Sequence, residues 1–223
     1  MKKVFLFLLA NLIVMGGFAQ QLWHCQDYDY AQKKFDEIRE TYKKSGNKKW
    51  SKKLLEAFPI ASDNTIKHQY VIMCDSTFDV DVISHIVFAW CKIKYPDAVP
   101  DSVSSHEHLR ISGLLKGVGK AYGLSLSYDS YKTYINAKEE VIIDIKGNRV
   151  RVTSRIFDYI IYGKLVDEVA PGNCYPVNQD AKQKDSHAMA FINCHYNALG
   201  TIESLIKYLN DNIATLKSDD DDW

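Results

Sequence analysis

The string His106-Glu107-His108 is the most metal-like feature of the chain. On an extended segment, residues two apart project to one side, so these imidazoles are placed to share a cation such as zinc. A third ligand would have to come from elsewhere, with His187 and His195 as candidates, and the chemistry implied is metal-assisted hydrolysis. The neighbouring Ser104 and Ser105 fit a second reading, two solvated loop histidines. Cys194-His195 sets a thiol beside a base in sequence only. Adjacent residues on a helix point about 100° apart and do not serve each other. Lys116-Gly117-Val118-Gly119-Lys120 is glycine-rich like a phosphate cradle. It lacks the G-x-x-x-x-G-K-[ST] spacing, and its glycines fit a bulge or a close backbone approach.

Tyrosines form another candidate set. Tyr122, Tyr128, Tyr131 and Tyr134 bring broad apolar rings with polar tips, which suit a sugar or protein surface. They also suit a half-buried sheet face, since tyrosine is a good strand former. Lys43, Lys44, Lys48, Lys49, Lys52 and Lys53 would meet an anionic envelope polymer, or simply complement the end of a helix. No catalytic residue is assigned from these sets, and no cofactor is implied.

The elements that must carry these residues are legible from spacing. Tyr28, Ala31, Phe35, Ile38 and Tyr42 recur at helical steps and predict a helix over Asp27–Lys44. Trp50, Leu54 and Phe58 predict a second, over Lys49–Phe58, stopped by Pro59. From Thr65 the period becomes two: Ile66, His68, Tyr70, Ile72 and Cys74 share one face of a strand. Asp79 or Asp81 caps the next helix, whose apolar face holds Val82, Ile83, Ile86, Val87, Trp90 and Cys91 and which stops at Tyr95-Pro96. A loop is expected from Pro96 to Ser105.

Leu109–Val118 reads as a strand broken by glycines, Tyr128–Ala137 as extended, and Val141–Ile145 as a strand. Gly147-Asn148 predicts a two-residue hairpin turn in which both residues accept positive φ. On the returning strand, Val150, Val152, Ser154, Ile156 and Asp158 alternate, with Phe157 and Tyr159 expected on the other face. Val169–Lys184, with Pro171, Gly172 and Pro176, reads as a loop, and Ser186–Leu216 as a long helix.

Composition bounds the rest. The chain is 46% hydrophobic and 25% charged, which supports a folded core. Twenty-eight basic residues balance 28 acidic ones, without the basic excess expected of a nucleic-acid binder. Lys2-Lys3, the apolar run Val4–Val14 and the small residues of Gly17-Phe18-Ala19 have the form of a secretory leader, with cleavage expected after Ala19. Gln20 stands where a lipoprotein needs cysteine, so no membrane anchor is expected after cleavage. An oxidising destination makes a Cys174–Cys194 bridge a candidate; Cys74 and Cys91 read instead as buried small residues. The organisation expected is a signal peptide (1–19), a helical N-terminal extension (20–60), an α+β domain (61–216) and a disordered acidic tail (217–223).

The strand IKHQYVIMCD, the helix DVDVISHIVFAWCKIKY, the strand RISGLLKG, the hairpin VIIDIKGNRVRVTSRIFDYIIYG and the helix AFINCHYNALGTIESLIKYL follow in β-α-β-β-β-α order. This arrangement resembles a secreted bacterial family of unknown function described as having a TATA-binding-protein-like fold. The resemblance implies an α+β domain with an antiparallel sheet packed by two helices, over about residues 65–215. It transfers no activity, because fold does not imply function. The expectation is an exported, non-enzymatic binding protein that contacts a protein or glycan of the cell envelope. The competing expectation is a metal-assisted hydrolase using His106 and His108.

Overall fold

The computed structural model describes residues 23–45, 60–75, 78–97, 104–105, 107–122, 132–162, 166–181 and 184–220, together with Leu55 and Phe58. The short strand β1 (Trp23–His24) leads into helix α1 (Gln26–Ser45). Strand β2 (Ile66–Cys74) and helix α2 (Val80–Lys94) follow. Three long strands come next: β3 (His108–Tyr122), β4 (Lys132–Lys146) and β5 (Arg149–Tyr162). The short strand β6 (Val166–Val169), a 3₁₀ turn at Pro171–Asn173 and helix α3 (Lys184–Asp220) complete the chain. The fold is α+β, with an antiparallel sheet in the order β1-β2-β5-β4-β3 and with β6 also paired to β5. Strands β2 and β6 share one edge of β5: β2 covers Arg149 to Ile156, and β6 covers Tyr159 to Tyr162.

Each element forms for a local reason. Asp79 caps α2, accepting from the Asp81 amide at 2.9 Å, and the helix ends at Tyr95 before Pro96. Of the predicted apolar face, Ile83, Ile86, Val87, Trp90 and Cys91 are buried, while Val82 is partly buried. Trp90 donates to Ser204 Oγ at 3.0 Å, which ties α2 to α3. On β2, Ile66, Ile72 and Cys74 face the core, while Lys67, Gln69, Val71 and Met73 face outward. Helix α3 lays Phe191, Cys194, Ala198, Leu199, Ile202, Leu205 and Leu209 on the sheet, all fully buried. Asn210 clamps the backbone of Trp23 from both sides, with hydrogen bonds of 2.8 and 3.0 Å. No described helix is long and apolar enough to cross a membrane.

Five expectations change on contact with the structure. Strand β4 is continuous where the sequence reads as two segments, because Glu139 and Glu140 are buried within it. A bulge inserts Phe157: Glu139 pairs with Ile156, but Lys138 pairs with Asp158. The extra residue reverses the alternation, so Tyr159 lies fully buried in the core instead of on the opposite face. Only Gly147 takes positive φ (57°) in the hairpin turn, which therefore fits a type II′ turn. Cys174 and Cys194 are not bridged, since all five cysteines are buried free thiols. The loop and the helix do meet, as a bridge would require, but around the Tyr159 hydroxyl that both thiols influence. Helix α3 also takes in Ser218, Asp219 and Asp220, which the sequence reading placed in the tail.

The glycine cluster does two jobs. The β3–β4 register shifts between Leu115 and Gly119, with Gly117 at φ 66°. Gly119 lies under α3, where an added Cβ would stand 2.6 Å from the Ser186 carbonyl oxygen.

Candidate functional site

Helices α2 and α3 cover one face of the sheet. The opposite face of β3, β4 and β5 carries side chains in cross-strand rows. His108, Asp144 and Arg151 are register neighbours on three successive strands. His108 Nδ1 lies 2.6 Å from Asp144 Oδ1, and Arg151 Nε donates to Oδ2 at 2.9 Å. Burial pushes the Asp144 carboxyl up, but the His108 and Arg151 hydrogen bonds outweigh it and hold the group below its usual range. His108 is thus committed to a carboxylate, while His106 lies outside the described residues. Of the proposed third ligands, His195 pairs with His68, and no group of three His, Cys, Asp or Glu converges among the described residues.

A second row joins Arg110 to Glu140, with Arg155 bridging to Asp63 at 2.9 Å. Lys138 forms a third row with Asp158 and Glu168. Partly exposed pairs of this kind contribute little stability singly. They fix the direction of the long side chains that frame the face.

Beyond these rows the surface turns aromatic and apolar. Tyr134 on β4 faces Tyr162 on β5 directly across the ladder, and the two are 38% and 37% exposed. Two residues along on each strand lie Asn136 and Ile160, then Lys138 and Asp158. Ile160 leads into a recess of about 660 Å³, lined by Lys94, Leu114, Lys116, Lys138 and Phe157. Bulged Phe157 reaches this recess because of the inserted residue that sends Tyr159 inward. Of the four predicted tyrosines, Tyr134 is on this surface, and Tyr122 sits on β3 paired with Lys132. Tyr128 and Tyr131 lie outside the described residues, as do Lys48, Lys49, Lys52 and Lys53. Tyr162 was not singled out by sequence; its partnership with Tyr134 depends on register, which spacing alone does not reveal.

Beneath this face Glu139 points into the core. Its carboxylate accepts from Ser154 Oγ at 2.9 Å and from the Tyr95 hydroxyl at 3.4 Å. Burial raises its pKa, and the Ser154 and Tyr95 hydrogen bonds with the Lys94 charge offset that only in part.

A different cluster sits where α1, β2 and α3 meet. His68 Nε2 lies 2.7 Å from His195 Nδ1, and His68 Nδ1 is 3.5 Å from the Tyr70 hydroxyl. The His195 ring lies against Phe58 and Phe191, with centroids 4.7 and 4.4 Å away. Burial holds both imidazoles below the usual histidine range, His68 at about 4 and His195, which also feels His68, well below its ordinary value. Both are neutral at pH 7. The sequence did hold a signal here: His68 stands on the apolar parity of β2, and His195 is one turn from Phe191 on the buried stripe of α3.

No family model matches the sequence, and no curated protein matches it. Solved structures similar to part of the chain include two of low identity. One is a TBP-like protein from Parabacteroides distasonis, 15% identical, with a TM-score of 0.44, covering 65% of this chain and 95% of that one. The other is a DUF4468 family protein from Bacteroides ovatus, 8% identical, with a TM-score of 0.47, covering 72% of this chain and 96% of that one. The α+β architecture given above stands on the strand register of this chain itself.

Proposed function

We propose that this chain is an exported binding protein of the bacterial cell envelope, without catalytic activity, that engages a glycan or polypeptide through the open face of its sheet. The observation that carries this reading is the exposed Tyr134–Tyr162 pair continuous with the recess at Leu114, Phe157 and Ile160. Aromatic rings offer wide apolar contact at low entropic cost, and their hydroxyls satisfy polar groups of a partner. Lys94 and Lys116 line the recess together with Asp97, while Lys138 is held by Glu168 and Asp158, so the rim carries both signs of charge. Export is supported by the leader pattern of residues 1–19.

The test is binding of the full mature protein to immobilised cell-wall and capsular glycans and to isolated envelope proteins. Wild type should bind saturably, and a Tyr134→Ala, Tyr162→Ala double variant should bind at least tenfold more weakly with an unchanged melting temperature. Equal binding by the double variant removes the sheet face as the ligand surface. Hydrolysis of an envelope substrate by the purified protein, lost in a His106→Ala, His108→Ala variant, would favour the metal-hydrolase reading instead.

A further inference from the structure

The seam between α1 and β2 holds a second recess, of about 310 Å³. Its lining comes from separate parts of the chain: Tyr30 and Lys34 of α1, Phe58 before β2, His68 and Tyr70 on β2, and His195 of α3. Three features of this lining point one way. Tyr30, Phe58 and Tyr70 supply aromatic walls, which favour a flat conjugated ring over an aliphatic chain. Lys34 and Lys67 place two cations at the recess, and no Asp or Glu is among the described residues that line it. His195 is 1% exposed, and its Nε2 has no hydrogen-bond partner among the described residues, while Nδ1 is held by His68.

We infer that this recess is a binding site for a small aromatic carboxylate, with the ring between the aromatic walls, the carboxylate toward Lys34 and Lys67, and the imidazole pair at the deep end. The volume lies at the small end of the range for ligand pockets and suits a one- or two-ring acid. The site is separate from the sheet face and does not depend on it. Of the carboxylates near the seam, Glu203, Asp29 and Asp36 act on Tyr28, and Asp27 acts on Cys25 and on Tyr70 in the recess wall. None of them is hydrogen-bonded to either imidazole among the described residues.

The probe is 2-naphthoate, with 2-naphthamide as its uncharged counterpart, titrated into the full mature protein by calorimetry at pH 7. The acid should bind saturably with one site per chain, and the amide at least tenfold more weakly. A Lys34→Ala, Lys67→Ala double variant should lose about tenfold for the acid, close to one unit of log affinity for a partly exposed charge contact, with an unchanged melting temperature. A His195→Phe variant should abolish binding by filling the deep end. Should that variant fail to fold, the lysine double variant and the amide comparison decide the matter. Absence of saturable binding to wild type, equal affinity for acid and amide, or full affinity in the lysine variant overturns the assignment.

Discussion

His68 and His195 show how burial gives an ordinary side chain an unusual proton affinity. With folded-state pKa values below the unfolded value of 6.5, the native state binds fewer protons than the unfolded chain as acid is added. Their contribution to stability is therefore complete above about pH 6.5 and is lost as pH falls toward 4. Near the middle of that window the loss is about 1.4 kcal/mol per pH unit for each excess proton. Glu139 works in the opposite direction, since its raised pKa means that its burial penalty grows as pH rises. Asp144, with its lowered pKa, loses its contribution only in stronger acid. The expected result is a urea midpoint that falls between pH 6.5 and 4.5, with a shallower fall in His68→Gln. A midpoint that rises with acid would mean that the 2.7 Å contact traps a shared proton, and would contradict this account.

At the scale of elements, the closest constraint is the passage of α3 over β3. An added Cβ at Gly119 would meet the Ser186 carbonyl oxygen at 2.6 Å and Ala190 Cβ at 3.2 Å, and backbone cannot turn aside as a flexible side chain can. Gly119→Ala should cost about 1–3 kcal/mol by forcing helix and strand apart. Gly200, within the same helix, has nothing within 4 Å of such a Cβ. Gly200→Ala should stabilise the protein by about 0.5–1 kcal/mol through helix propensity alone. Denaturant titration of the two variants checks both signs, and a neutral Gly119→Ala would show that the contact is loose. The glycine pattern was legible as a bulge or close approach, and both occur. Which element approaches was not legible, because spacing along β3 carries no information about α3.

For the molecule as a whole, the core is continuous from Trp23 to Leu209, and all five cysteines lie within it. Burial pushes the Cys174 thiol to about 11 and Cys91 to about 12, which leaves little reactive thiolate at neutral pH. The native protein should therefore show no rapid reaction with a thiol-directed reagent, and the chain unfolded without reductant should titrate five thiols. Three titratable thiols would instead reveal one disulfide and restore the Cys174–Cys194 bridge as a candidate.

The order of β2, α2, β3, β5 and α3, the buried stripes of α2 and α3, the face of β2 that meets the core and the place of the β4–β5 turn were written in local periodicity, while the short strands β1 and β6 were not. A period of two or 3.6 states which side of an element is apolar. It does not state what that side meets. Tertiary structure alone brought His68 to His195 across 127 positions and set Tyr134 opposite Tyr162. It also turned Tyr159 inward through one inserted residue, because a single-residue slip exchanges the two faces of a strand and leaves no mark in composition.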